Sequence, residues 1–484
     1  MNLKKTILPF VLCLISGIAM GGCLLFPQIG PAVFLLAVPA LAVIQKKTTK
    51  KQRFWHCFAF TGGICLAAYF PAFSIQVDIE PIYAFVVNLA LYAVLFVVHG
   101  GIMALVLWLG HQLKLPKGFG AVCVALFWAG GEWLLGFGPF AWPTARISLA
   151  LWQYPIFFRS ASLGGQLLVS GLILGVNYLL ARAVCCWKTK QWLVRAGIAV
   201  FMVVANVTVG ICYPAPSPAT TSVAVIQPGG QAVDTNRGTV YSDCLALAQQ
   251  TASEKPRLIL LPEGILPSTA NASDSMQSQW GNIAKQAEAD LLVGGFREGL
   301  STVIQFDSNG NRIFEYKKIK EVPFFENGQG KAFVFFSKTH ASVLTSNCGK
   351  IGNLICYESM FSSLAQNSVR DGAQLLFVST NDSWFTASVA KNIHLAHGAY
   401  RGVETGRTLV QSSIDGCSAV FDAAGNMTHS MPHKTKGVMQ AKVSFDPMDT
   451  LYNHIGDWWL AGGLLIMVLL SVWCAIRKKW NKNN

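Results

Sequence analysis

The chain has 484 residues, of which 52% are hydrophobic and only 13% charged. That balance is too apolar for a water-soluble enzyme of this length and fits a protein partly solvated by lipid. A formal charge of +14 does not indicate nucleic acid, because Lys and Arg fall in short clusters between apolar blocks rather than along one groove, and no nucleic-acid partner is expected.

A helix needs about 20 apolar residues to cross the hydrocarbon core and must satisfy its own backbone there. Seven N-terminal blocks qualify, at 7–26, 29–45, 54–73, 83–110, 119–136, 163–184 and 193–212, with an eighth at 458–476. The second is short, and the fourth is long enough to tilt. The predicted organisation is a seven-helix transmembrane domain over 1–215, a globular domain over 216–450, and a transmembrane helix with a basic tail over 451–484. The first block also reads as a cleavable signal, since Met20-Gly21-Gly22-Cys23 loosely resembles a lipoprotein cleavage box. Apolar sequence continues through Phe26, which favours an uncleaved anchor.

Basic residues mark cytoplasmic loops. Lys4 and Lys5 precede the first span; Lys46, Lys47, Lys50, Lys51 and Arg53 follow the second; Lys114 and Lys117 follow the fourth. Arg182, Lys188, Lys190 and Arg195 flank the sixth-to-seventh loop, and Arg477, Lys478, Lys479 and Lys482 close the chain. Both termini are therefore expected inside and residues 216–450 outside. The loop from Gly136 to Pro143, with Trp152 and Tyr154, reads first as an aromatic belt at an outer interface and secondarily as a wall of a lipid entry.

Within 216–450, β-branched runs alternate with helical stretches, as in an α/β domain. Central strands are predicted at Ser222–Ile226, Leu258–Leu261, Leu291–Val293, Ile351–Ile355 and Leu375–Ser379. Helices are predicted at Val240–Ser253, Ser275–Ala289 and Val389–Arg407, with hairpin turns at Asp307–Gly310 and Ala424–Asn426. Three strand ends carry reactive side chains: Pro262-Glu263-Gly264, Tyr316-Lys317-Lys318 and Ile355-Cys356-Tyr357-Glu358. A thiol needs a base to become a nucleophilic thiolate, which points to Cys356 with Glu263. A fixed cation would stabilise the oxyanion of the tetrahedral intermediate, a role for Lys318. Taken singly, a Cys at a strand end is more often a small buried residue and a lone Glu is usually solvated.

The ordered combination is more specific. PEG around Glu263, YKK ending at Lys318 and ICYE around Cys356 resemble the nitrilase superfamily, and the spans before and after them narrow the resemblance to its membrane-embedded branch, the apolipoprotein N-acyltransferases. The stretches 322–326, 379–385 and 401–407 are similar to that family too. The resemblance implies an α-helical membrane domain joined to an α/β nitrilase-type α-β-β-α sandwich. It implies a phospholipid acyl donor, a thioester on Cys356, and as acceptor the α-amine of a diacylated lipoprotein's N-terminal cysteine. It makes Glu263 the proton carrier and Glu326 and Glu358 supporting acids, with Tyr357 beside the nucleophile. Ion pairing that holds Lys318 in place is the plainer reading of the two acids. No cofactor is implied, a monomer is expected, and the place is the bacterial inner membrane.

Lys318 is preferred over its neighbours because strand alternation puts Lys317 on the other face, while Lys320 stands where the family usually has His. The family's usual Gly is Phe325 here, Gln411-Ser412-Ser413 replaces a stretch usually carrying Arg and Thr-Asn, and the segment between Glu326 and Cys356 is short. Those departures leave open a membrane-tethered nitrilase relative acting on another amide or ester, or a silent envelope protein. Cys244, Cys348 and Cys417 lie where disulfides can form, with Cys348 expected to pack rather than react. His394 and His397 sit on a predicted helix without an HExxH pattern, so no metal site is expected.

Overall fold

The computed structural model describes residues 3–46, 48–76, 80–116, 118–138, 140–230, 237–266, 274–297, 299–323, 326 and 343–483. The chain parts into two compact units, one of Met1–Phe73, Phe85–Tyr213 and His454–Asn484, the other of Ser74–Ala84 and Pro214–Asn453.

The first unit is helical: α1 (Leu3–Leu25), α2 (Val33–Leu36), α3 (Val38–Ile44), α4 (Lys50–Ala68), α5 (Pro81–Gly110), α6 (Gly120–Leu134), α7 (Pro155–Phe158), α8 (Ala161–Cys185), α9 (Gln191–Ile211) and the C-terminal helix Trp458–Asn483. Among the described residues seven helical stretches are long and apolar enough to cross a membrane. The fifth block is the exception: α6 has 15 residues. At 1.5 Å per residue that is about 22 Å, against a hydrocarbon core of about 30 Å.

The second block departs from a continuous helix. Pro27–Ala32 forms a 3-10 turn, followed by α2 and α3, with Pro31 and Pro39 removing two N–H donors. A break in lipid needs substitute hydrogen bonds. Asn177 of α8 supplies them, its Nδ2 donating to Val33 O at 2.8 Å and its Oδ1 accepting from Ala37 N at 3.0 Å. Helices α1 and α4 meet through glycine: Gly17 lies against Phe60 O, Gly21 against Ile64 O, and Gly63 against Leu14 O. Small residues permit this backbone approach where the hydrophobic effect cannot drive association.

The aromatic loop after α6 leads into a buried stretch. It folds inward as 3-10 turns at Pro143–Ala145 and Ile147–Leu151, whose residues are buried. Glu132 accepts from Trp128 Nε1 at 2.9 Å and Ile147 N at 3.0 Å, and Arg146 donates to Gln166 at 3.1 Å. Trp152 is buried as well, while Phe137, Phe140, Trp142 and Tyr154 are half-buried. Lys47 and Lys117, used to assign sidedness, and Pro139 lie outside the described residues.

The second unit is a sandwich of two six-stranded sheets, ordered β12-β1-β2-β3-β4-β5 and β11-β10-β9-β8-β7-β6. The strands are β1 (Thr221–Gln227), β2 (Leu258–Leu260), β3 (Asp290–Arg297), β4 (Leu300–Phe306), β5 (Arg312–Lys317), β6 (Val343–Ser346), β7 (Gly349–Ile355), β8 (Leu375–Thr380), β9 (Thr408–Ser413), β10 (Ser418–Phe421), β11 (Met427–Met431) and β12 (Gly437–Val443). In each sheet the central three strands are parallel, β1-β2-β3 and β7-β8-β9. Alternation divides the core. Val223, Val225, Leu258 and Leu260 face Ile351, Ile355, Leu375 and Phe377 between the sheets. Ile226, Ile259, Leu261 and Leu291 face outward against α10 (Arg237–Ala252) and α11 (Asp274–Ala287), where Cys244, Ala248, Trp280 and Ile283 close the layer. On the other side α12 (Ser362–Arg370) packs on β7 and α13 (Ser388–Thr405) on β9 and β10. The fold of this unit is α-β-β-α, each buried Leu or Ile contributing about 1.5–3 kcal/mol.

Segment Ser74–Gln76, which precedes α5, belongs to this unit. Ile75 bridges Phe385 antiparallel, Gln76 N donates to Trp384 O at 2.7 Å and Thr386 N to Ser74 O at 2.9 Å. Cys244, Cys348 and Cys417 are free thiols.

Candidate active site

Parallel strands open at their carboxyl ends, where helices and loops diverge and leave room for chemistry. Glu263 follows β2, Cys356 follows β7, and Asn381 and Asp382 follow β8. Lys318 comes one residue after β5, its N–H extending the ladder to Ser301 O at 2.8 Å.

Glu263, Lys318 and Glu326 form one ionic cluster. Lys318 Nζ donates to Glu263 Oε1 at 3.2 Å and to Glu326 Oε1 at 2.6 Å, and Glu326 Oε2 accepts from Val322 N at 2.6 Å. Glu263 Oε2 accepts from Asn381 N at 3.2 Å, so the two sheets share this carboxylate. Burial alone would lower the Lys318 ammonium, but Glu263 and Glu326 outweigh it and hold the group well above the usual lysine range. An ammonium has three N–H bonds. With two on carboxylates, one remains for a substrate oxygen. Alternation sorts the neighbouring cations: Tyr316 and Lys318 are buried, Lys317 is half-buried, and Lys320 Nζ sits 3.8 Å from the Phe361 ring centroid.

Cys356 adopts φ +50°, a left-handed conformation, at the start of the 3-10 turn Cys356–Met360. Such a conformation in a residue with a Cβ stores about 1–3 kcal/mol and recurs at functional sites. The residue as a whole is half-buried. Burial and then the Glu263 carboxylate push it well above the usual cysteine range, while Lys318 and a hydrogen bond with Thr380 pull the other way. A nucleophilic role for this thiol would therefore require a base to take its proton.

Glu358 does not touch Lys318 Nζ. Its Oε1 accepts from Ile319 N at 2.7 Å and Lys320 N at 3.0 Å; its Oε2 accepts from Ile355 N at 2.8 Å and Tyr316 Oη at 2.9 Å. It ties the lysine-bearing turn to the strand bearing Cys356, with burial lifting its carboxyl to about 7 against those donors. Of the two acids, Glu326 alone pairs with Lys318. Tyr357 is buried edge-on against Phe361, ring centroids 4.9 Å apart, and burial keeps its phenol neutral.

Two residues near Cys356, His394 and Asp382, were given no role beside it from sequence. His394 Nδ1 lies 2.7 Å from Asp382 Oδ1, and its Nε2 lies 3.0 Å from Cys356 O and 2.9 Å from Ser359 Oγ. The available signal was the spacing of polar residues on one face of α13, since His394, His397, Arg401 and Glu404 recur every three or four residues and are all buried. Cys356, Asp382 and His394 bring ligand-type atoms within 4.8 Å of one another, alone in this among the described residues. Both nitrogens of His394 face hydrogen-bond partners. Gln411, Ser412 and Ser413 are buried on β9, while Phe325 and residues 327–342 lie outside the described residues.

The family model described as carbon-nitrogen hydrolase matches residues 222–451, and that of the apolipoprotein N-acyltransferase N-terminal domain matches residues 16–179. A curated apolipoprotein N-acyltransferase of Gloeobacter violaceus is 28% identical over 376 residues, covering 71% of this chain and 70% of that protein. Its namesake in Thermotoga maritima is 24% identical over 353 residues, 70% and 68% of the two chains, and that of Rhizobium meliloti 24% over 392 residues, 72% and 73%. A solved amidase from Nesterenkonia sp. superposes on half of this chain, with 20% identity and a TM-score of 0.38. One model specific to the family's membrane domain covers the helices and a second covers the sandwich, in one chain that aligns with these relatives over most of their length; the chain belongs to the apolipoprotein N-acyltransferase family, acyltransferases with a nitrilase-type catalytic unit.

Proposed function

We propose that this chain moves an acyl group from a phospholipid, through a thioester on Cys356, to the α-amine of the diacylglyceryl-cysteine at the start of a lipoprotein. The observation that carries the reading is the meeting of Glu263 and Lys318, 3.2 Å apart, beside a left-handed Cys356, from three strand ends distant in sequence. In the first half-reaction Glu263 takes the thiol proton as Sγ attacks the ester carbonyl carbon. The oxyanion forms against the Lys318 ammonium, a contribution of about 3 kcal/mol if it resembles other such donors. Collapse breaks the ester C–O bond, and Glu263 returns the proton to the lysophospholipid alkoxide. In the second half-reaction the neutral amine attacks the thioester carbon, Glu263 takes a proton from nitrogen, the C–S bond breaks, and the thiolate is reprotonated. One carboxylate thus serves both steps. Glu326, Tyr357 and Glu358 support it by orienting Lys318, flanking the nucleophile and tying the two loops together.

The helical unit supplies the membrane anchor this substrate pair demands. The basic clusters around its spans support cytoplasmic termini and an extracytoplasmic sandwich in the bacterial inner membrane, with a monomer as the working unit.

The test is mass spectrometry of the purified protein and its Cys356→Ala variant, incubated with phosphatidylethanolamine and then with a diacylated lipopeptide bearing a free N-terminal amine. The expected result is an acyl adduct at Cys356 that passes to the amine, with neither step in the variant. An adduct released only to water would make the chain a hydrolase, and no adduct would sink the thioester.

A further inference from the structure

We propose that Asp382 and His394 form a positioning clamp on the nucleophile, in which the imidazolium of His394, paired with Asp382, holds the Cys356 carbonyl and with it the left-handed backbone that aims Sγ at Glu263 and Lys318. This rests on reading Cys356 as the nucleophile. The protonation state follows from the partners. A carboxylate and a backbone carbonyl only accept hydrogen bonds, and the Ser359 hydroxyl near Nε2 already donates to Cys356 O, so Nδ1 facing Asp382 Oδ1 at 2.7 Å and Nε2 facing Cys356 O at 3.0 Å both donate. Asp382 is itself fixed at both oxygens, Oδ1 accepting from Thr380 Oγ1 at 3.2 Å and Oδ2 from Ser413 Oγ at 3.0 Å. All four side chains are buried. Burial opposes charge on His394, yet the Asp382 carboxylate outweighs it and raises the ring above the usual histidine range; burial likewise opposes charge on Asp382, and His394 outweighs it and holds that carboxyl below its usual range.

The arrangement has the distances of a Ser-His-Asp relay, with Ser359 Oγ 2.9 Å from Nε2, but Ser359 is fully buried and its hydroxyl donates to Cys356 O at 2.9 Å. It cannot meet a substrate. His394 is not a base for Cys356 either, because its Nε2–H is aimed at the carbonyl oxygen and the ring has no free lone pair. What the pair does is supply two donors, Nε2–H and Ser359 Oγ–H, to one carbonyl in a peptide whose φ of +50° is unfavourable in isolation. Without them the Cys356–Tyr357 peptide is free to relax toward ordinary backbone angles and carry Sγ away. Misplacing a reacting atom by about 1 Å can cost about a hundredfold in rate.

The test measures acyl-Cys356 formation and transfer in the full-length protein, with phosphatidylethanolamine vesicles and a diacylated lipopeptide. His394→Ala should lower kcat by about 10- to 100-fold while KM for both substrates stays within about twofold. His394→Gln keeps a donor for Cys356 O but turns its oxygen toward the Asp382 carboxylate, so it should stay slow. His394→Gln with Asp382→Asn rebuilds the chain in neutral form, Asn donating to Gln and Gln to Cys356 O, and should recover most of the lost kcat. A merely structural role predicts no such recovery. Should His394→Ala fail to fold, the single and double glutamine variants decide. Wild-type kcat in His394→Ala, or a double variant as slow as His394→Gln, overturns the clamp while an adduct at Cys356 leaves the nucleophile standing. No adduct in the wild type overturns both.

Discussion

Read from β12 to β5 and from β6 to β11, the two sheets share one pairing sequence, antiparallel, parallel, parallel, antiparallel, antiparallel, so β2 and β8 occupy equivalent places and each is followed by a buried carboxylate, Glu263 or Asp382. The partners differ. Glu263 meets an ammonium and a backbone N–H beside the thiol, whereas Asp382 meets an imidazole and two hydroxyls. An ammonium at one edge and a thiol at the other leave Glu263 able to exchange protons with a substrate. The closed shell of Asp382 leaves it only a neighbour to orient. With the roles proposed above, the same position in one plan serves chemistry in one sheet and geometry in the other.

The largest effect should come from neutralising these two carboxylates. Glu263→Gln keeps shape and removes the base, and single-turnover thioester formation should fall about 10³-fold. Asp382→Ala leaves the base and removes the anchor of the clamp, so its loss should be about 10- to 100-fold. Equal losses would break the comparison. Lys318→Met should approach the first value, at about 10²- to 10³-fold, since it removes the donor for the oxyanion.

A glycine guards each carboxylate. A Cβ on Gly294 of β3 would collide with Pro262 O and lie 2.5 Å from Glu263 Cα, and a Cβ on Gly416 would collide with Asp382 Oδ2 and Ser413 Oγ. Gly294→Ala strikes backbone and should cost about 1–3 kcal/mol of stability together with most of the activity. Gly416→Ala strikes side-chain oxygens that can rotate, so its effect on kcat should be smaller, about tenfold. Thermal unfolding and initial rates on both variants sharpen the contrast; a reversed order would mean that the Asp382 shell is the stiffer of the two.

The strands read from sequence, β1, β2, β3, β7 and β8, are parallel central strands buried on both faces and mostly apolar, β7 being interrupted by Gly352 and Asn353. Strands such as β9 and β11, with Gln411, Ser412, Thr428 and His429, carry polar residues that no run length flags, and α12 was missed for the same reason. Glu263, Lys318 and Cys356 stood out because a carboxylate, an ammonium and a thiol at strand ends make one reaction in a known order. His394 and Asp382 did not, since their meaning lies in a contact with the carbonyl of a residue 38 positions away in sequence, which no spacing rule encodes. In the helices, apolar length located the spans, but the break at Val33–Ala37 depends on Asn177, 140 or more residues away. The inward turn of the aromatic loop depends likewise on Glu132.

A third buried carboxylate, Glu358, separates geometry from chemistry by pH. Its carboxyl is raised from 4.5 to about 7 by burial, against four hydrogen bonds that favour the ionised form. The folded protein therefore holds a proton more tightly than the unfolded chain between those values, and stability falls as pH rises through that window. The stabilisation is fully present below pH 4.5 and is lost as pH passes 7, a change of about 3 kcal/mol if this group acted alone. Glu358→Gln cannot titrate, so the difference in Tm between wild type and variant should shrink as pH rises from 4.5 through about 7. The variant also presents an amide N–H₂ to N–H donors and should be less stable at every pH, by about 1–3 kcal/mol. A pH-independent difference in Tm would mean that the four donors hold Glu358 ionised throughout, and that its tie between the Lys318 turn and Cys356 is a fixed strut with no proton of its own.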